Sequence, residues 1–283
     1  TDRSRGLGDV YKRQVQNITD PDIVPYIPDG IGNSTDRQRI PAVLIIPGGA
    51  FRRLVYNFEG EDVAKWLNSM GIAAFVLECR LPSDEHDNAE DVPLIDAMRA
   101  MRVIRGRAQE FGIDEAKIGV MGFSAGGFMA ALLSTAYESD VYADYKYKDE
   151  YDKLSARPDF AVCSYPVISI DDCIEAGKRY MSEEQVLERI SDSKAKILHK
   201  YNPDKLVRPD MPPVFICETD DDRTTLSENS VGFYMAARKA GVSAELHIFR
   251  TGGHGYGCGD DFAQTGEWKV LFTKWIKSIG IIS

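Results

Sequence analysis

Short apolar runs recur along this chain, separated by longer stretches in which apolar residues return every three or four positions. The short runs are Ala42–Ile46, Ile72–Glu78, Lys117–Gly122, Asp159–Ser164, Val214–Glu218 and Ala244–Arg250. Their apolar character is nearly continuous rather than alternating, which predicts strands buried on both faces. Between them the pattern predicts helices over about 60–70, 92–111, from Ala125 onward, 226–240 and 266–279. In the second, Leu94, Met98, Met101, Ala108 and Phe111 keep helical spacing, with Asp91 placed as an N-cap and Gly112 as a C-terminal stop. In the last, Trp268, Leu271, Phe272, Trp275 and Ile279 share one face. Strands alternating with helices predict an α/β fold, a mostly parallel central sheet with helices on both faces.

Two stretches interrupt the rhythm. Residues 137–157 are polar and rich in tyrosine and charge, and 171–213 carry Pro203, Pro209, Pro212 and Pro213. Both read as following strands, and so as small insertions at the strand C-terminal ends, where open α/β sheets bind ligands. They are expected to wall a cleft or form a small cap. Residues 1–14 have neither the apolar core of a signal peptide nor the look of domain sequence, and resemble translated adapter. The expectation is therefore one domain over 15–283. With the native start unseen, the compartment stays open between cytoplasmic and secreted.

Composition narrows the partners. A net charge of −10 without a Lys/Arg cluster argues against nucleic acid and, more weakly, against anionic membranes. No apolar run approaches the ~20 residues that span a bilayer. The five cysteines, at 79, 163, 173, 217 and 258, are scattered, form no C-x-x-C pair and match no zinc spacing with histidine. Cys79, Cys163 and Cys217 fall in or beside strand runs and read as buried small hydrophobes, which points to a reducing compartment. Oligomeric state has no signature.

The candidate chemistry centres on Gly122-Phe123-Ser124-Ala125-Gly126-Gly127, with a strand before it and a helix-forming run after it. A serine on a tight strand-to-helix turn needs glycines on both sides, and the turn lifts its hydroxyl clear of the sheet. The Ala125 amide then sits at a helix N-terminus, where it can donate to developing negative charge. A serine hydroxyl needs a base, and the base needs an orienting acid, in the chain order Ser, Asp or Glu, His. Of the three downstream histidines, His254 lies in a glycine-rich loop directly after the last predicted strand. His247 lies inside that strand and reads as structural, and His199 lies in a polar helix and reads as solvated. The acid should follow the preceding strand, where Asp220, Asp221 and Asp222 are adjacent. Position alone does not choose among them. Pro47-Gly48-Gly49-Ala50-Phe51 follows the first predicted strand, and the Gly49 and Ala50 amides are the candidates for the other oxyanion donor.

In combination these segments resemble the α/β-hydrolase superfamily, specifically the esterase/lipase branch with bacterial acetylxylan-esterase-like carbohydrate esterases. Arg80-Leu81 and the run Ala240–His247 leading into Gly252-Gly253-His254-Gly255 belong to the same likeness, which covers about residue 40 to the C-terminus. The resemblance implies Ser124 as nucleophile and His254 as general base. Counting back from Glu228-Asn229-Ser230 puts the acid on Asp222, but Thr225-Leu226 replaces the Val-Pro usual there and keeps Asp221 open. Phe128 stands where the branch often has a histidine, and Ala50 where the oxyanion loop often has a third glycine.

The expectation is a serine ester hydrolase that cleaves short-acyl, acetyl esters, with those of plant cell-wall carbohydrates as the candidate substrates, and with no metal or cofactor. Tyr142, Tyr145, Tyr147 and Tyr151 stand as candidates to stack on sugar faces, against the plainer reading of solvated loop tyrosines. The alternatives are a serine peptidase or amidase of the same fold and a non-catalytic binding module.

Overall fold

The computed structural model describes residues 14–30, 39–84, 86–143, 145, 148–179, 181–182, 184–185, 196–259 and 264–283. The strands are β1 (Gln14–Val15), β2 (Asp22–Tyr26), β3 (Ile40–Ile46), β4 (Leu54–Val55), β5 (Ala73–Glu78), β6 (Ile113–Phe123), β7 (Ala161–Ser164), β8 (Val214–Thr219) and β9 (Ala244–Phe249). The helices are α1 (Asp62–Ser69), α2 (Val92–Gly106), α3 (Ala108–Phe111), α4 (Ala125–Ala136), α5 (Ile170–Lys178), α6 (Lys196–Lys200), α7 (Ser227–Lys239) and α8 (Glu267–Ser278). A π-helical turn, Asn57–Glu61, leads into α1. Among these helices none is long and apolar enough to cross a membrane.

Seven strands form the main sheet in the order β2-β5-β3-β6-β7-β8-β9. All neighbours run parallel except β2, which is antiparallel to β5. The α/β arrangement expected from the pattern is thus the one found. The antiparallel edge β2 and the short β1–β4 pair lack a long apolar run and were not expected. Gln14, the last residue of the leader stretch, pairs with Val55, and residues 1–13 lie outside the described residues.

Side-chain alternation splits the core in two. Ala42, Leu44 and Ile46 of β3 face the layer built by α2, α4 and α7. Val43 and Ile45 face the layer of α1 and α8, where Trp268, Phe272 and Trp275 are buried. Gly112 ends α3 in the left-handed region at φ 68° and donates its amide to Ala108 and Gln109, as a C-terminal stop should. Asp91 does not cap α2 with its side chain. Its carboxylate instead accepts from Tyr201 Oη and, at 2.7 Å, Lys200 Nζ, which ties the 196–201 segment to the start of α2.

Residues 137–157 correct one expectation. They follow helix α4, not a strand, so they return toward the start of β7, away from the end where Ser124 lies. Their described residues pack along α2. Arg99 makes a two-pronged pair with Asp149 at 2.6 and 2.8 Å, Arg102 lies 4.1 Å over the Tyr142 ring, and Arg105 donates to the Ser155 carbonyl. Tyr142 is buried and stacks on Tyr145, and the Tyr151 ring covers Gly106. These three tyrosines are spent on internal packing rather than on a sugar face, and Tyr147 lies outside the described residues. The second stretch does leave β7 at the Ser124 end, through α5; residues 180, 183 and 186–195 within it lie outside the described residues.

The turn after β6 is where backbones crowd most. A Cβ on Gly122 would stand 1.9 Å from the Gly126 carbonyl oxygen, and one on Gly126 would stand 1.9 Å from that of Ile46. Gly71 has φ +74° but open space around it. Gly122→Ala is therefore expected to cost about 3 kcal/mol or more. Gly71→Ala should cost only the left-handed backbone penalty of about 1 kcal/mol. Urea denaturation of the two variants checks the difference, and equal losses would contradict it.

Candidate active site

The chain runs from β3 to β5 on one side and then crosses back to β6 on the other, so the connections leaving β3 and β6 part company at adjacent strand ends. Such a switch point opens a crevice beyond the strand C-termini. The register brings Ile46 beside Gly122, Phe123 beside Ser164, Ser164 beside Cys217 and Thr219 beside Phe249. Four loops, beginning at Pro47, Ser124, Asp220 and Arg250, therefore start at one rim.

Ser124 occupies the turn at φ 54°, ψ −118°, a strained conformation for a residue with a side chain. Its N–H donates to the Ser164 carbonyl at 3.0 Å, and its carbonyl accepts the Phe128 N–H at 3.0 Å, so the turn is fixed on both sides. The hydroxyl faces His254, with Oγ 2.9 Å from Nε2. His254 stands between Gly253 (φ +62°) and Gly255 (φ +77°), both in the left-handed region that lets the loop turn sharply. The other ring nitrogen, Nδ1, lies 2.7 Å from Asp222 Oδ2. A carboxylate there fixes the tautomer with the proton on Nδ1 and leaves Nε2 free to accept from Ser124.

The three aspartates separate cleanly. Asp222 is buried at 2% exposure and turns inward to His254. Its Oδ1 also accepts the Thr224 and Thr225 amides at 2.7 and 2.9 Å. Asp221 is exposed and accepts the Gly253 N–H at 2.8 Å, which braces the histidine loop without reaching the ring. Asp220 is exposed, and its N–H donates to the Phe249 carbonyl. Burial alone would raise the Asp222 pKa, but the His254 hydrogen bond and charge and the two threonine amides outweigh it and hold the carboxyl below its usual value. Beneath it, Glu218 is fully buried, and its pKa is pushed well up by burial and then by the Asp222 charge.

The oxyanion-loop candidates sit against this turn. A Cβ on Gly48 would meet Ser124 Cβ at 3.0 Å, so the loop after β3 touches the serine. Gly49 adopts φ +134°, and its Cβ would fall 2.1 Å from the Arg53 carbonyl oxygen, so only glycine fits. Ala50 holds a left-handed φ of 56° despite its side chain, in the place where a glycine would be relaxed. Ala125 begins α4. Phe128 packs edge-on against Phe51 at 5.7 Å, an apolar buttress under the loop where a histidine was the alternative. A small apolar pocket of about 10 Å³ lies beside it, lined by Gly48, Phe51, Leu54, Leu81, Ala125 and Met129.

His247 pairs with Glu245 at 2.7 Å on edge strand β9, and His199 is exposed on α6; neither joins this group. Three residues that do join it were not singled out from sequence. Thr225 Oγ1 lies 3.0 Å from Asp222 Oδ2, 3.2 Å from His254 Nδ1 and 3.3 Å from the Tyr165 carbonyl. Its signal was the departure from Val-Pro at 225–226, which puts a hydroxyl where a methyl is usual. Tyr165 packs edge-on against the His254 ring at 5.1 Å. Glu59 is buried, donates nothing while ionised, and accepts from Gly48 N–H at 2.7 Å and Tyr165 Oη at 2.9 Å. The Glu59–Tyr165 contact spans 106 residues of sequence, and no local pattern announces either residue.

Known proteins resemble this chain over most of its length. A family model described as BD-FAE matches residues 31–236. The acetylxylan esterase of Xylanibacter ruminicola is 31% identical over 240 residues, covering 84% of this chain and 45% of that protein. Endo-1,4-beta-xylanase B of Butyrivibrio fibrisolvens is 31% identical over 227 residues, covering 80% of this chain and 34% of that protein. This chain thus spans less than half the length of the curated relatives it matches. The crystal structure of an acetyl ester-xyloside bifunctional hydrolase from Caldicellulosiruptor lactoaceticus aligns with TM-score 0.76 at 35% identity, covering 96% of this chain and 98% of that one. That likeness bears out the α/β-hydrolase fold.

The lowered Asp222 pKa carries a stability prediction. A carboxyl whose folded pKa lies below its unfolded value contributes stability that is present above the unfolded pKa and lost as pH falls through the folded one. Asp222→Asn should therefore be less stable than wild type at pH 7, and the gap should shrink between pH 4 and the onset of acid unfolding. Urea denaturation across that range measures it; a gap that widens on acidification would contradict the assignment.

Proposed function

The chain belongs to the BD-FAE family, and we propose that it acts there as a serine carboxylester hydrolase on short-acyl, acetyl esters. The observation that carries the reading is the continuous hydrogen-bonded chain from Ser124 Oγ through both nitrogens of His254 to the buried Asp222. Ser124 attacks the ester carbonyl carbon while its proton passes to His254 Nε2. The carbonyl oxygen becomes an oxyanion and takes hydrogen bonds from the Ala125 amide, at the start of α4, and from Gly49 or Ala50. Each such donor is worth about 3 kcal/mol of transition-state stabilisation. Asp222 holds the imidazole in the tautomer that can accept, and stabilises the imidazolium that forms. The tetrahedral intermediate collapses, the C–O bond breaks, and His254 Nε2 gives its proton to the leaving alkoxide. Water, deprotonated by the same nitrogen, then attacks the acyl-enzyme and releases the acid and free Ser124.

The acyl preference is supported by the acetyl esterase names of the relatives. The alcohol side is proposed to be an acetylated carbohydrate of the plant cell wall, supported by the names of the xylan-acting relatives.

Hydrolysis of 4-nitrophenyl acetate and octanoate tests both halves. Ser124→Ala should lower kcat on the acetate by about 10⁴-fold or more, and Asp222→Asn by about 10⁴-fold. Asp221→Asn should stay within about tenfold of wild type, because it braces the loop and does not touch the ring. Wild-type turnover no higher than that of Ser124→Ala would remove the enzymatic reading and favour a binding module. Preference for octanoate would remove only the acetyl part, and amide turnover matching ester turnover would move the assignment to an amidase.

A further inference from the structure

Glu59 is a buried carboxyl at the centre of the site that the proposed chemistry does not use. It sits in the π-helical turn 57–61, a widened turn of the kind often found where a helix serves a site. Each of its oxygens has a separate task. Oε2 accepts the Gly48 N–H at 2.7 Å, in the loop that carries the oxyanion candidates Gly49 and Ala50. Oε1 accepts the Tyr165 hydroxyl at 2.9 Å. The same hydroxyl oxygen accepts the Gly257 N–H at 3.0 Å, three residues beyond His254. The Tyr165 ring abuts His254, and its carbonyl oxygen lies 3.3 Å from Thr225 Oγ1, which contacts Asp222 in turn.

Glu59 thus stands at the node of a closed network linking the loop after β3, the loop after β7, the acid loop after β8 and the histidine loop after β9. The packing follows the same path: a Cβ on Gly48 would collide with Glu59 Oε2 at 2.7 Å, and one on Gly257 with the ring of neighbouring Phe58 at 2.6 Å. Such an arrangement is costly without a return. An apolar residue would avoid the desolvation of a carboxyl, and burial does push the Glu59 pKa upward against its donors and the His254 charge. A buried polar group with every partner in place fixes a single geometry, and here the geometry fixed is that of two catalytic loops relative to each other.

We propose that Glu59, acting through Tyr165, is a positioning residue that locks the oxyanion loop at 48–51 to the histidine loop at 254–257. The proposal rests on the esterase reading for its kinetic consequence, but not for its structural one. Glu59→Gln keeps the volume and can still accept the Gly48 N–H. Its amide NH₂ can only donate to Tyr165 Oη, which reverses that bond and takes away the acceptor of the Tyr165 proton. Tyr165→Phe removes one oxygen and leaves the ring in place.

Two measurements test it together. On 4-nitrophenyl acetate, each variant should lose about 10- to 100-fold in kcat with KM within about twofold, as expected when the donors for the transition state are misplaced but the ground-state site is not. The double variant should be no worse than the poorer single variant within about threefold, because both break one unit. Amide hydrogen exchange should accelerate by tenfold or more in both 48–51 and 254–257. If Glu59→Gln fails to fold, Tyr165→Phe carries both measurements. Folded variants with kcat within about threefold of wild type, or effects that multiply in the double variant, would overturn the proposal. So would exchange that rises only within 57–61. Should wild type prove no more active than Ser124→Ala, the esterase reading falls and the exchange measurement alone decides the role of Glu59.

Discussion

Everything at this site depends on how closely three backbones approach at one turn. The Gly122 and Gly126 positions leave no room for a side-chain carbon, and Gly126 lies directly against the end of β3. That contact holds the first turn of α4 against the oxyanion loop. It also forces Ser124 into a left-handed φ that an ordinary sequence would avoid. The strain is maintained by the surrounding sheet, since the Ser124 amide is anchored on Ser164 of the next strand. A hydroxyl, a helix N-terminus and a glycine loop therefore meet at one point because the chain cannot be spaced otherwise.

The electrostatics follow from burial. Asp222 stays ionised at 2% exposure because His254 and two threonine amides answer its charge. Glu218, four residues earlier on β8, has its pKa pushed up by burial and then by the Asp222 charge. Glu59 takes a third course, with a backbone amide and a tyrosine hydroxyl aimed at its two oxygens. Three acids within one rim would repel one another if all were bare; each is instead assigned partners that decide its charge.

Much of this was legible in the sequence, for identifiable reasons. The parallel strands β3, β5, β6, β7 and β8 are buried on both faces, and so announce themselves as unbroken apolar runs. Ser124 and His254 lie in glycine-rich turns directly after such runs, where local chemistry and position agree. Edge strand β2, with its exposed and half-buried positions, gave no comparable signal. Residues 137–157 misled because a tyrosine-rich, charged stretch looks alike whether it follows a strand or a helix, and only the path of α4 places it against α2. Asp222 and Asp221 were inseparable by position and are separated by orientation. Thr225 showed only as a departure from Val-Pro, and Tyr165 and Glu59 were invisible because their partners come from several different loops, and tertiary contacts of that kind leave no periodicity to read.

Catalysis at this site depends on the geometry of attack at Ser124. Its most direct measurement is a crystal structure of the protein after reaction with diethyl 4-nitrophenyl phosphate, whose phosphoryl group mimics the tetrahedral intermediate. Phosphorus should be bonded to Ser124 Oγ, with the phosphoryl oxygen about 2.7–3.1 Å from the Ala125 amide and from that of Gly49 or Ala50. Phosphorus on another residue, or an oxygen turned away from those amides with His254 displaced from Asp222, would contradict it.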